Sequence, residues 1–370
     1  MGRGLWISLV LSVGLSVSGC GVVTDDERGG DDVFAYRTDR ELVLAAAAGT
    51  IVRVPVGVDD DPNVDFTLGR DVAFTVTGKT IVGAAAARGS FAGVPCDCRR
   101  AFPQSGSRVV WWRGPDTIMS VRLDPVEDAD AGGSSAPGLA PKVLRTVVFP
   151  DMQAPLDAVD TVSDDTEIVA ASPMHIVLNR LEHRLGDRGT VNHLYSVDLR
   201  TGAVHSYGTV PEVNMPLRNG VHQLFDSASP PTGPDHFYVL GEIRTDTSRS
   251  DVVLDIDTTA GTIVSSTPVN GAQLVNLRGE SGGIAVTASP STTSDRPIPL
   301  VWQQHNGRWS QERDEALLDR IRLPGSDSAT LDLIPADSGR ANLCLNQIAG
   351  SKQLATNVVS IAVAPAVLRL

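Results

Sequence analysis

Residues 194–202 read L-Y-S-V-D-L-R-T-G, and residues 253–261 read V-L-D-I-D-T-T-A-G. Each is an apolar, strand-like run that ends in aspartate and closes on a Thr-Gly or Ala-Gly turn. A second strand-like run follows each, A-V-H-S-Y-G-T-V after the first and T-I-V-S-S-T-P-V after the second. Asp198 matches Asp257 and Gly202 matches Gly261, both offset by 59 residues. A weaker third copy is residues 300–309, L-V-W-Q-Q-H-N-G-R-W, with Gly307 at the turn. The physical sense is a hairpin, because glycine enters the positive-φ region without a steric cost and lets the chain double back. One hairpin repeated in phase argues against two β-sandwich domains, the competing architecture for a chain of this length.

Working outward, helical periodicity is nearly absent. Short β-branched or alternating runs dominate, separated by Gly, Pro, Asp and Asn clusters. Examples are residues 41–44, 50–56, 72–76, 108–113, 117–123, 143–149 and 167–171. Residues 311–320, Q-E-R-D-E-A-L-L-D-R, are the sole stretch that reads as helix. Residues 124–141 are a low-complexity insert whose composition cannot pack a core.

A strand, a D-x-x-T-G turn and a return strand, recurring at about 45 to 60 residues, resemble the inner-to-outer strand hairpin of β-propeller blades. Bacterial propellers of the TolB-like, quinoprotein-like and WD-repeat kinds carry such a turn. The resemblance implies an all-β propeller over residues 33–370. At about 45 to 55 residues per blade, it would have six or seven blades.

The N-terminus gives an address. Arg3 precedes an apolar stretch from Leu5 to Val17, and Val17-Ser18-Gly19-Cys20 sets small residues before a cysteine. A short apolar core with a small-residue cleavage site is an export signal. This one resembles the lipobox of bacterial lipoproteins. The resemblance implies that residues 1–19 are removed and that Cys20 is lipidated as the first residue of the mature chain. Residues 20–32, polar and Gly-rich after the cysteine, then read as a flexible tether. The expected location is the outer face of the cytoplasmic membrane. An ordinary secretory signal and an uncleaved anchor are the alternatives, although the apolar run is short of the roughly 20 residues a spanning helix needs.

The net charge of -13 makes nucleic acid and anionic lipid headgroups poor partners. Membrane attachment therefore falls to the lipid chains. Only Lys79, Lys142 and Lys352 are lysines among the 31 basic residues, a usage that resembles GC-rich genomes such as those of actinobacteria. With Cys20 lipidated, Cys96, Cys98 and Cys344 remain in an oxidising compartment, which permits one disulfide. The favoured bridge joins Cys344 to Cys96 or Cys98 and closes a loop of about 250 residues. A Cys96–Cys98 bridge and a metal or redox site at C-D-C are the other readings.

Candidate chemistry is sparse. Residues 279–283, G-E-S-G-G, fit G-x-S-x-G, but strand-like flanks on both sides make a turn the better reading. Gly78-Lys79-Thr80 lacks the earlier glycine of a phosphate-binding loop and reads as a hairpin turn. Asp59, Asp61, Asn63 and Asp65 alternate as calcium ligands do. Val64 stands where the glycine belongs and Arg70 where the bidentate glutamate belongs, so a solvated acidic loop is expected and no cofactor. Among the seven histidines, His222 and His236 fall at strand starts where rim residues sit. Arg99, Arg100, Trp111 and Trp112 form the densest candidate binding patch. Strand alternation should send one tryptophan to the core and leave the other exposed.

The leading expectation is a monomeric, lipid-anchored, non-catalytic platform for a protein or cell-envelope ligand. A cell-envelope enzyme, a glycan-active hydrolase or lyase with a composite site at the propeller axis, is the alternative. A regulatory lipoprotein working with a membrane sensor kinase or transporter is a third reading. No catalytic residue is assigned.

Overall fold

A computed structural model describes residues 33–46, 49–55, 66–69, 72–77, 79–85, 89–105, 107–123, 139–150, 161–183, 190–209, 227–228, 236–244, 249–266, 273–280, 283–289, 300–305, 307–312, 319–323, 329–336 and 340–363. These residues form strands and turns, with no α-helix among them.

The chain begins with β1 (Val33–Thr38), β2 (Glu41–Ala46) and β3 (Gly49–Pro55). Five four-stranded antiparallel sheets follow in chain order. The first holds β4 (Thr67–Leu68), β5 (Val72–Thr77), β6 (Thr80–Ala85) and β7 (Gly89–Pro95). The second holds β8 (Phe102–Ser105), β9 (Arg108–Arg113), β10 (Thr117–Arg122) and β11 (Lys142–Thr146). The third holds β12 (Thr161–Ala171), β13 (His175–His183), β14 (Thr190–Asp198) and β15 (Val204–Thr209). The fourth holds β16 (Ser227–Ala228), β17 (His236–Arg244), β18 (Arg249–Asp257) and β19 (Thr262–Ser266). The fifth holds β20 (Gln273–Glu280), β21 (Gly283–Ser289), β22 (Leu300–His305) and β23 (Arg308–Glu312). The chain ends with β24 (Asp319–Arg322), β25 (Thr330–Pro335), β26 (Ala341–Gln347) and β27 (Gly350–Val363).

The two ends of the chain share a sixth, seven-stranded sheet in the order β24-β25-β26-β27-β1-β2-β3. The long strand β27 divides its pairing. Its first part pairs with β26, and from Val358 to Val363 it pairs with β1, where Ala35 faces Ala362 and Tyr36 faces Ile361. The last strand thus fastens the first, so the ring does not depend on end-to-end packing alone. The opening strands form an inner ring, with β27 against β4, β4 against β8, β8 against β12, β12 against β16 and β16 against β20. Sheets set around an axis in this way are a β-propeller.

The core lies between successive sheets. Phe74, Ile81 and Trp111 meet between the β4–β7 and β8–β11 sheets, while Trp112, Ile118, Ile168 and Tyr195 meet between the β8–β11 and β12–β15 sheets. Phe237 and Leu254 pack against Val177 and Leu194 at the next interface. The β8–β11 and β12–β15 sheets are therefore covered on both faces, and their central strands read as apolar runs such as Val109-Val110-Trp111-Trp112.

This corrects one expectation. Alternation does send Trp111 and Trp112 to opposite faces, but both faces are interior, and the two are only 1% and 7% exposed. A second correction concerns residues 311–320, which enter from β23 and leave in β24, so strand pairing overrides the helical composition at both ends. The hairpin expectations hold. Residues 279–283 join β20 to β21 with Glu280 opposite Gly283, and Thr77 pairs with Thr80 around Lys79. The low-complexity residues 124–138 lie outside the described residues.

Candidate functional site

The two clear copies of the repeat are the β14–β15 and β18–β19 hairpins, the third and fourth strands of their sheets. Their geometry is the same. Asp198 Oδ1 accepts the backbone N–H groups of Arg200 at 2.7 Å and Thr201 at 3.0 Å. Asp257 Oδ1 accepts those of Thr259 at 2.9 Å and Ala260 at 2.8 Å. Gly202 and Gly261 follow at φ +81° and +67°, and Gly307 of the third copy is at +74°. A short carboxylate that holds the backbone two and three residues on is the reason aspartate opens each turn.

The structure adds a histidine to each copy. His175 lies directly across β13–β14 from Asp198, and His236 lies across β17–β18 from Asp257. The linear sequence hides this, because the histidine is separated from its aspartate by an entire hairpin.

Around His236 the pairing widens into a network. Its Nδ1 is 3.2 Å from Asp255 Oδ1, and its Nε2 is 3.5 Å from Asp257 Oδ2. Tyr238 stands opposite Asp255 in the register and donates its hydroxyl to that carboxylate. Burial, the Asp255 charge and this hydrogen bond push the phenol up to about 12. Tyr207, from the preceding sheet, donates to Ser196 Oγ at 3.1 Å. Burial is the main cause that raises its phenol, and Asp257 adds to it. The side chains of His236, Asp255 and Asp257 are 40%, 34% and 25% exposed, so the network is fixed by strand pairing yet open to solvent. Chemically it offers carboxylate acceptors, a ring nitrogen and a phenol on a rigid surface. Among the described residues, no group of three or more His, Cys, Asp or Glu side chains is arranged to hold a metal ion.

The residues singled out from sequence are placed as follows. Cys96 is bonded to Cys98, which replaces the favoured link from either to Cys344. The two are neighbours along an irregular turn after β7, where backbone Cys96 and Asp97 N–H groups donate to the Lys79 carbonyl. Cys344 is wholly buried on β26 and is joined to neither of them. Beside the bridge, the Lys79 ammonium at 2.6 Å holds the exposed Asp97 carboxyl below the usual carboxylate range.

Arg99 is exposed, and Arg100 is half-buried with its guanidinium carbon 5.8 Å from the centre of the Phe102 ring. Trp111 and Trp112 are core, so these four residues do not form one surface. Asp59, Asp61, Asn63 and Asp65, Cys20 and His222 lie outside the described residues.

Fold and site together define a β-propeller with a half-exposed His–Asp–Tyr network on one sheet. Solved structures match the first part. The β-propeller domain of the Trilobed protease from Pyrococcus furiosus superposes with a TM-score of 0.50 at 10% identity, over 92% of this chain and 99% of that one. That domain is described as having an open velcro topology, whereas here the last strand pairs with the first. Pyrococcus horikoshii acylaminoacyl peptidase matches at a TM-score of 0.50 and 9% identity, over 90% of this chain and 52% of that one. This chain therefore spans about half the length of that peptidase. TolB from Acinetobacter baumannii matches at a TM-score of 0.41 and 11% identity, over 90% of this chain and 66% of that one. At such identities the likeness concerns the fold. No protein-family model matches the chain, and no curated protein matches it in sequence.

Proposed function

We propose that this chain is a lipid-anchored, extracytoplasmic propeller of seven blades that acts as a non-catalytic binding platform for a cell-envelope or protein ligand. The blade number is read by dividing the seven-stranded sheet at β27 into two four-stranded sets, added to the five other sheets. The anchor is Cys20, reached through the tether of residues 20–32, and its use is to keep the platform near membrane partners. Two or more acyl chains hold a protein stably where one does not.

The observation that carries the binding role is the His236–Asp255–Asp257–Tyr238 network. Its polar groups are half-exposed, yet they stand on paired strands beside an apolar core, the kind of rigid support that recognition needs. Site-specific photo-crosslinking tests it. A crosslinking residue at Val264, 61% exposed and opposite Asp255 across β18–β19, should capture a ligand or partner. One at Val143, 55% exposed on β11, should not. Equal capture from both positions, or none from Val264, would remove the network from the reading.

The second reading, an envelope hydrolase or lyase, has Asp255 and Asp257 in its favour, two carboxylates on one face of β18. It requires them to leave His236 and engage a substrate.

A further inference from the structure

We infer that the facing surfaces of the β16–β19 and β20–β23 sheets form a saccharide site, with Tyr238, Trp302 and Trp309 as stacking surfaces and Asp255, Asp257 and His236 as hydrogen-bonding groups. This rests on the platform reading and names its ligand class.

Three aromatic side chains converge here from two sheets. Tyr238 of β17 and Trp302 and Trp309 of β22 and β23 all lie partly buried against one apolar core. That core takes Leu240 and Val253 from one sheet and Ile284 and Val286 from the other. The register puts both tryptophans on one face, since Val286 pairs with Trp302, Ile284 with Gln304 and Gln304 with Trp309. On the opposing sheet, Val253, Asp255 and Asp257 alternate onto the face that meets them, so carboxylates and rings share one interface.

The chemistry favours a neutral polyhydroxylated ligand. Aromatic faces take the apolar C–H surface of a sugar ring, and carboxylates accept its hydroxyls. Anionic ligands are repelled by the two aspartates. Each carboxylate keeps lone pairs beyond those engaged by His236 and the Tyr238 hydroxyl and can still accept a sugar hydroxyl. A lysine- or arginine-bearing partner is the competing occupant that a cationic probe tests. Among the described residues, neither buried indole Nε1 group has an acceptor.

The test uses the whole chain extracted from membranes in detergent, with cellohexaose, maltohexaose and chitohexaose as probes and tri-lysine as the cationic comparison. Binding is read by tryptophan emission and by calorimetry. One hexasaccharide is expected to bind saturably, with Trp309→Ala and Asp255→Asn each weakening it roughly tenfold, the scale of one lost charge-assisted hydrogen bond or stacking contact. Trp309→Phe, which keeps a ring, should retain most of the affinity even where the alanine variant folds poorly. Trp111→Phe, at a different sheet interface, should bind as the unaltered chain does.

Absence of binding by all three sugars, binding indifferent to both Trp309→Ala and Asp255→Asn, or binding by tri-lysine alone would overturn the inference. A captured protein partner without sugar binding leaves the platform reading standing while this inference falls. Sugar binding with release of new reducing ends keeps the site and removes the non-catalytic reading.

Discussion

A Cβ placed on Gly261 would stand 2.8 Å from Nε2 of His205, a side chain of the preceding sheet. Gly202, its counterpart in the repeat, meets Arg145 of the sheet before it at 3.4 Å, and Arg145 also donates to the Leu199 carbonyl. Each turn thus serves two ends. It reverses its own hairpin and receives a side chain from the neighbouring sheet's outer strand. Of the two demands on glycine, backbone conformation is the larger, because His205 is exposed and can rotate away. Gly261→Ala and Gly307→Ala should each cost about 1–2 kcal/mol from positive-φ strain, with Gly261→Ala only slightly worse. Chemical denaturation of the pair, with His205→Ala added to the first, measures the difference. A much larger loss at Gly261 that His205→Ala abolishes would make the contact dominant.

The turn aspartates should matter on their own. Asp198→Ala and Asp257→Ala each leave two backbone N–H groups without their acceptor, and by analogy with helix caps each should cost about 1 kcal/mol. The Thr201 N–H is the main cause that holds the Asp198 carboxyl below its usual range, with the Arg200 N–H and His175 adding to it. A depressed carboxyl stabilises the fold above the unfolded-state value and loses that contribution as pH falls through the folded one. Thermal unfolding followed downward from neutral pH should therefore fall less steeply in acid for Asp198→Ala than for the unaltered chain.

Tyr238 gives the opposite sign at the other end of the scale. Its phenol titrates near 12 in the fold against about 10 in the unfolded chain, so the folded state holds the proton more tightly. Stability tied to this group is complete below pH 10 and declines as pH rises from there toward 12. Phenolate absorbance should lag the free-tyrosine curve, and Tyr238→Phe should remove one late-titrating group from the four tyrosines. An unchanged alkaline titration in that variant would contradict the Asp255 contact.

Trp111 separates a core role from a surface role. It is 1% exposed between two sheets, so Trp111→Ala should cost about 3–5 kcal/mol, read by denaturant midpoint. A surface hot spot would instead lose binding with stability unchanged.

How much of this was legible in the chain depends on the range of the interaction. The Asp198 and Asp257 turns were readable because carboxylate, bound N–H groups and glycine fall within five residues of each other. Strand density carried the all-β fold for the same local reason. His175 and His236 were not readable, since their aspartates are brought to them only by strand pairing. The tryptophan pair misled because alternation implies one wet face, and a sheet stacked between two others has none. Cys96 and Cys98 joined each other because both sit on the same turn, while Cys344 lies on a strand of another sheet.

The address has its own prediction. The N-terminal peptide of the mature chain should begin at Cys20 and carry the mass of a thioether-linked diacylglycerol, measured without reduction. A Cys20 sulfur found in a disulfide would exclude the lipid, since one sulfur cannot hold both.

The central claim, a tethered platform, is tested most directly by crosslinking in the living cell, followed by detergent extraction, pull-down and mass spectrometry. Cys20→Ala serves as the untethered control. The account predicts one membrane or envelope component, recovered reproducibly with the anchored chain and depleted with the variant. Equal recovery from both chains, or nothing above background from either, would contradict it.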